Sequence, residues 1–106
     1  MPGAPSRTMA QAIRNSHRWK KLNAWFVAKF PFCCNPLDLH TTMEPTEQVH
    51  HIEQAETSPQ LAFETSNLAP VCTYCHGKLN GMERAGKPTA YLFEAWQEQL
   101  RAMGYR

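Results

Sequence analysis

At 106 residues the chain has room for one compact domain with a limited core, and a bound metal would help to staple it. A composition of 42% hydrophobic and 19% charged residues excludes a disordered or fibrous protein. The net charge of +2 does not by itself separate a nucleic-acid binder from an ordinary cytoplasmic protein.

In chain order, Met1–Arg7 lacks the apolar stretch of a signal peptide, and no apolar run reaches membrane-spanning length. The expectation is a cytoplasmic protein with no membrane contact, in a reducing compartment where four cysteines favour metal over disulfides. Met9, Ile13, Trp19, Leu22, Trp25 and Phe26 recur at helical spacing, which predicts one helix from Thr8 to Phe30, ended by Pro31. Arg14, Arg18, Lys20, Lys21 and Lys29 crowd this stretch, while Glu44, Glu47, Glu53, Glu56 and Glu64 occupy the middle. Such a basic stretch suits a solvated face as well as a phosphate-contacting one until a site is found beside it.

Phe32–Thr46 reads as a loop, Glu47–Ile52 as a short strand, and Glu53–Ser66 as a connection anchored inward by Leu61 and Phe63. Leu68–Val71 is a second short apolar piece. A helix follows from about Tyr74 to Met82, broken by Gly86 and Pro88. A last helix over Ala90–Met103 is predicted to pack on the first. The chain therefore divides into 1–30, 31–88 and 89–106, a helix, a small α+β middle and a helix.

Cys72-Thr-Tyr-Cys75 lies where a short strand turns into a helix, and this spacing lets two thiolates approach one zinc ion tetrahedrally. A thiol redox or metal-relay pair is the rival reading. It would want a longer buried strand and no second cysteine cluster, and it leaves the histidines without a role. The remaining zinc ligands are expected from one of the adjacent Cys33 and Cys34, together with His40. His50 and His51 are consecutive strand residues that point to opposite faces, so both cannot be core. His76, in the first turn of the following helix, can meet one of the two. Two neutral imidazoles leave a cation open positions for water and phosphate oxygens. Asn67 is a turn residue whose carboxamide could orient a histidine ring.

Val49-His50-His51-Ile52, then Asn67-Leu68, then Cys72-Thr-Tyr-Cys75-His76 resembles the HNH endonucleases, and the CxxCH ending looks like their small phage and prophage members with a zinc knuckle. The likeness runs over residues 31–84, and the helix around Ser16–Lys21 is similar to the segment that precedes it in such proteins. It implies an α+β domain over 1–106: a ββα-metal hairpin and helix stapled by structural zinc, flanked by N- and C-terminal helices. It implies that His50 and His76 hold one divalent ion (Mg²⁺, Mn²⁺ or Ni²⁺), that His51 is the general base, and that Asn67 orients the His51 side of the hairpin. Cys72 and Cys75 would ligate zinc. Cys33-Cys34-Asn35-Pro36 departs from the plain CxxC of many relatives, so the upstream ligands stay open among Cys33, Cys34 and His40.

The substrate would be DNA, cut by hydrolysis with weak sequence preference, and a phage packaging or other DNA-processing partner fits the resemblance. Arg14, Arg18, Lys20 and Lys21 on the first helix, and Lys78, Arg84 and Lys87 beside the catalytic helix, would contact phosphates. Trp19, Trp25 and Trp96 read as core residues rather than base-stacking platforms. As a monomer with one site the chain would nick, whereas cutting both strands would need a weak dimer or two successive events. The alternative is a zinc-binding DNA module of the same fold that cuts nothing, for which the histidines would be superfluous.

Overall fold

The computed structural model describes residues 5–106; residues 1–4, which open the leading segment read above, lie outside the described residues. The N-terminal helix is two helices, not one: α1 (Pro5–Asn15) and α2 (His17–Lys29). Ser16 divides them. Its backbone is extended and its Oγ accepts the Trp19 N–H at 3.1 Å, an N-cap that competes with helix continuation. The break resets the helical stripe, so Met9 is left exposed and Ala10 takes the inward place. Trp19 and Phe26 of α2 enter the core, whereas Trp25, expected inside, is half-exposed and stands edge-on to Phe30 and Tyr105.

β1 (Gln48–His51) and β2 (Leu68–Val71) form an antiparallel hairpin, with Gln48 opposite Val71 and His51 opposite Leu68. A two-stranded ribbon is marginal alone, and here helices and a loop cover it. The outer edge of the buried β2 is closed without a third strand: Trp96 Nε1 donates to the Leu68 carbonyl and Cys34 N to the Pro70 carbonyl, each at 2.8 Å. Because the Pro70 carbonyl faces this edge, so does its nitrogen, and the missing N–H removes no ladder bond.

Between the strands the chain makes short 3₁₀ turns at Pro59–Leu61 and Thr65–Asn67. α3 (Thr73–Arg84) starts directly after Cys72 and extends past the predicted Met82. A further 3₁₀ turn leads into α4 (Glu94–Ala102), so the predicted final helix is part 3₁₀ and part α. α4 meets α2, the second half of the predicted first helix, through Trp96, whose ring stands edge-on to Phe26 with centroids 6.5 Å apart and to Phe30 just beyond the helix at 5.1 Å. Phe26, Leu68, Leu79, Phe93 and Leu100 are fully buried around the hairpin. The loop from Pro31 to Thr46 is closed at its base by the Phe32–Pro45 bridge and by Thr46 Oγ1 donating to the Phe30 carbonyl at 2.6 Å. Among the described residues no helix is long and apolar enough to cross a membrane.

Candidate functional site

The base of that loop and the start of α3 bring Cys33, His40, Cys72 and Cys75 together, with all four donor atoms within 4.8 Å of one another. These four residues can hold a metal ion. Cys34 lies outside the group; its backbone N–H is committed to Pro70, and burial and the neighbouring Cys33 push its thiol up to about 12. Two residues after Cys33, Asn35 clamps this loop. Asn35, in the left-handed region (φ 51°), donates Nδ2 to the His40 carbonyl at 2.7 Å, accepts Leu39 N at 3.0 Å, and gives its own N–H to Cys33 Sγ at 3.3 Å. His40 supplies the fourth donor. Its Nδ1 lies 2.9 Å from the Thr42 carbonyl, which can only accept, so Nδ1 carries the hydrogen and Nε2 keeps a lone pair facing Cys72 Sγ at 3.8 Å. Burial raises the Cys33 and Cys75 thiols, and the Cys72 and Cys33 sulfurs raise Cys75 further. Burial and crowding therefore favour the thiol forms, and a cation among the sulfurs would stabilise the thiolates instead.

A second site is a cleft of about 500 Å³ lined by His50, His51, His76, Asn80, Glu83 and Trp19, with Arg14 and Arg84 at its walls. His50 is buried and stacked on Phe93, centroids 5.2 Å apart, and its Nε2 has no hydrogen-bond partner. The His50 and His76 rings stand edge to face with centroids 5.8 Å apart. An imidazole centre lies about 3.2 Å from an ion ligated at about 2.1 Å, so two rings sharing an ion have centres at most about 6.4 Å apart. The pair fits a shared cation, and an ion would also satisfy the orphaned nitrogen.

His51 points the other way. It stacks on Trp19 of α2, centroids 4.7 Å apart, and its Nε2 lies 3.1 Å from the Ala62 carbonyl. That carbonyl only accepts, so Nε2 is protonated and Nδ1 holds the lone pair. Burial lowers the His51 pKa from its ordinary value, which keeps the ring neutral at pH 7. Burial and the neighbouring His50 lower that of His76 in the same way.

No protein-family model and no curated protein matches this chain. Its fold is similar to the crystal structure of the HNH endonuclease of the deep-sea thermophilic bacteriophage GVE2 with manganese ion, at a TM-score of 0.66 and 20% identity over 76% of this chain and 87% of that one. The chain has an HNH-endonuclease-type fold. Between the strands, Asn67 makes its side-chain hydrogen bonds to backbone groups and to neither histidine ring. Its Oδ1 accepts Glu53 N at 2.8 Å, and its Nδ2 donates to the Glu53 and Leu61 carbonyls at 3.1 and 3.2 Å. It ties the residue after Ile52 to the turn that carries the Ala62 carbonyl. Asn67→Ala removes three part-buried hydrogen bonds, each worth about 0.5–1.5 kcal/mol, so urea denaturation is expected to show a clear loss of stability.

Of the basic residues, Arg14 and Arg84 line the cleft, and Arg14 reaches Glu56 at 3.4 Å in an exposed pair that a phosphate can displace. Arg18 lies over the Phe63 ring at 4.0 Å and Lys78 near Tyr74 at 5.4 Å. Arg18, Lys20, Lys21, Lys78 and Lys87 are exposed outside the cleft lining.

Three cleft residues were missed or misread in the sequence. Trp19 is core, as expected, but it is also the plate against which His51 stacks. Asn80 and Glu83 follow His76 by one and two helical turns, a spacing that places them on its face. Glu83 Oε2 stands 3.3 Å from His50 Nε2 and accepts the Thr89 hydroxyl at 3.0 Å. Burial would raise the Glu83 carboxyl, but these contacts outweigh it and hold the pKa below its ordinary value.

Proposed function

We propose that this chain is a metal-dependent endonuclease that hydrolyses DNA phosphodiester bonds, as one nuclease domain over 1–106. The observation that carries this is one cleft holding two kinds of histidine: His50 and His76 close enough to share an ion, and His51 with its free Nδ1 lone pair. In this reading His50 and His76 hold the divalent ion of the HNH fold, which supplies charge neutralisation at the scissile phosphate. The GVE2 protein's manganese makes Mn²⁺ the first ion to try, with Mg²⁺ and Ni²⁺ beside it.

His51 Nδ1 takes the proton of the attacking water. The Ala62 carbonyl and the Trp19 plate hold the ring in the tautomer and orientation that this needs. Asn67 acts through the backbone, fixing the turn from which Ala62 bonds His51. Arg14 and Arg84 flank the scissile phosphate, and the exposed lysines and arginines contribute sequence-independent phosphate contacts. The Cys33, His40, Cys72 and Cys75 group is a structural zinc site, since three thiolates and an imidazole suit zinc and leave no open position.

The test is supercoiled plasmid incubated with protein purified free of added divalent ions, then with Mn²⁺, Mg²⁺ or Ni²⁺. Omitting the ion, rather than chelating it, leaves structural zinc in place. Nicked circles that appear only with an added ion are expected; a protein that shifts plasmid in a gel but never nicks it is the non-catalytic DNA-binding module. Zinc content separates the two cysteines: Cys34→Ser should retain one zinc per chain and Cys33→Ser should not.

A further inference from the structure

The histidines alone leave the cleft ion without an anionic ligand, and the side chain beside them is Glu83. On the reading of this cleft as an ion site, we propose that Glu83 is a third protein ligand, making a two-histidine, one-carboxylate centre. Three observations converge on it. His50 is 4% exposed, and its Nε2 is aimed into the cleft with no hydrogen-bond partner. Glu83 Oε2 stands only 3.3 Å from that nitrogen, yet the two lack hydrogen-bond alignment. Adjacent donors around an octahedral ion at about 2.1 Å stand about 3.0 Å apart, so this spacing suits two ligands of one ion.

The support around Glu83 is built for the role. Thr89 is buried, and its hydroxyl donates to Glu83 Oε2, which fixes the carboxylate toward His50. Glu83 lies two helical turns after His76 on the same face of α3, so one helix presents both ligands to the hairpin. His76, whose ring centre lies 5.8 Å from that of His50, completes the set. A carboxylate also sets the metal preference: oxygen donors favour Mg²⁺ and Mn²⁺, whereas a site of imidazoles alone leans to Ni²⁺.

A carboxylate that merely oriented His50 from behind would also strengthen metal binding, so the test must separate the two arrangements. Mn²⁺ and Ni²⁺ are titrated calorimetrically into zinc-loaded wild type, Glu83→Gln, Glu83→His and His76→Ala, with zinc content and circular dichroism confirming the fold. Glu83→Gln, which keeps an acceptor for Thr89, is expected to weaken Mn²⁺ by more than about tenfold and Ni²⁺ less, while Glu83→His restores Ni²⁺ but not Mn²⁺. Mn²⁺ binding unchanged in Glu83→Gln, or both ions weakened equally with no rescue by Glu83→His, overturns the ligand role. If His76→Ala abolishes Mn²⁺ binding while Glu83→Gln does not, only the Glu83 assignment falls. If His76→Ala also binds Mn²⁺ as wild type does, the cleft is not the ion site and the proposed function falls with it.

Discussion

Replacing His51 with alanine is expected to reduce plasmid nicking by about 10²- to 10⁴-fold, the range that one positioned proton transfer contributes. That range corresponds to about 2.7–5.5 kcal/mol of barrier. The expectation rests on a tautomer argument: the Ala62 carbonyl takes the Nε2 hydrogen and leaves the Nδ1 lone pair for the proposed role as base. DNA affinity in a gel shift should be retained, because the substitution leaves Arg14, Arg84 and the other cations proposed to contact phosphate unchanged. Zinc content should also stay at wild-type level, since His51 is not part of the Cys/His group. Truncation leaves Trp19 without its stacking partner, so a modest fall in melting temperature is expected alongside the kinetic loss. His51→Ala protein that nicks at the wild-type rate would remove His51 from the mechanism.

Loss of the zinc proposed for the Cys33, His40, Cys72 and Cys75 group is expected to be more drastic still. Cys75→Ser should yield protein without zinc and without a cooperative thermal transition. Cys75 is wholly buried and Cys72 nearly so, and their donors join the start of α3 to a loop from Pro31 to Thr46 that has little regular pairing of its own. Structural zinc contributes about 10–16 kcal/mol in small zinc-binding peptides at pH 7. A whole domain of ordinary stability has only about 5–15 kcal/mol, so the domain should not survive losing the ion. The cleft should fail with it, because His76 directly follows Cys75 and its place depends on where α3 begins. Circular dichroism melts with zinc analysis provide the check. Zinc-free Cys75→Ser that melted cooperatively at the wild-type temperature would show that the knuckle is not what holds this fold.

The features readable from the sequence alone were those set by local chemistry. The order of strand, loop, strand and helix follows from short-range apolar patterning around Val49–Ile52, Leu68–Val71 and the segment after Cys72. The CxxC and the alternation of His50 and His51 are likewise local, since two-residue geometry dictates where those side chains can point. Even the division between α1 and α2 was within reach, because Ser16 is a strong N-cap residue; helical periodicity on both sides masked it.

What only the tertiary structure decided depends on residues distant in the chain. Choosing Cys33 over Cys34 required knowing which backbone N–H reaches Pro70, and how the expected His40 is held depends on the Asn35 clamp. The tautomer of His51 depends on Ala62, 11 residues away, and its orientation on Trp19, from another helix. Glu83 became visible only when the hairpin laid His50 against α3. Propensity and spacing act within a few residues, whereas proton positions and ligand sets are fixed by groups that meet only after the chain has packed.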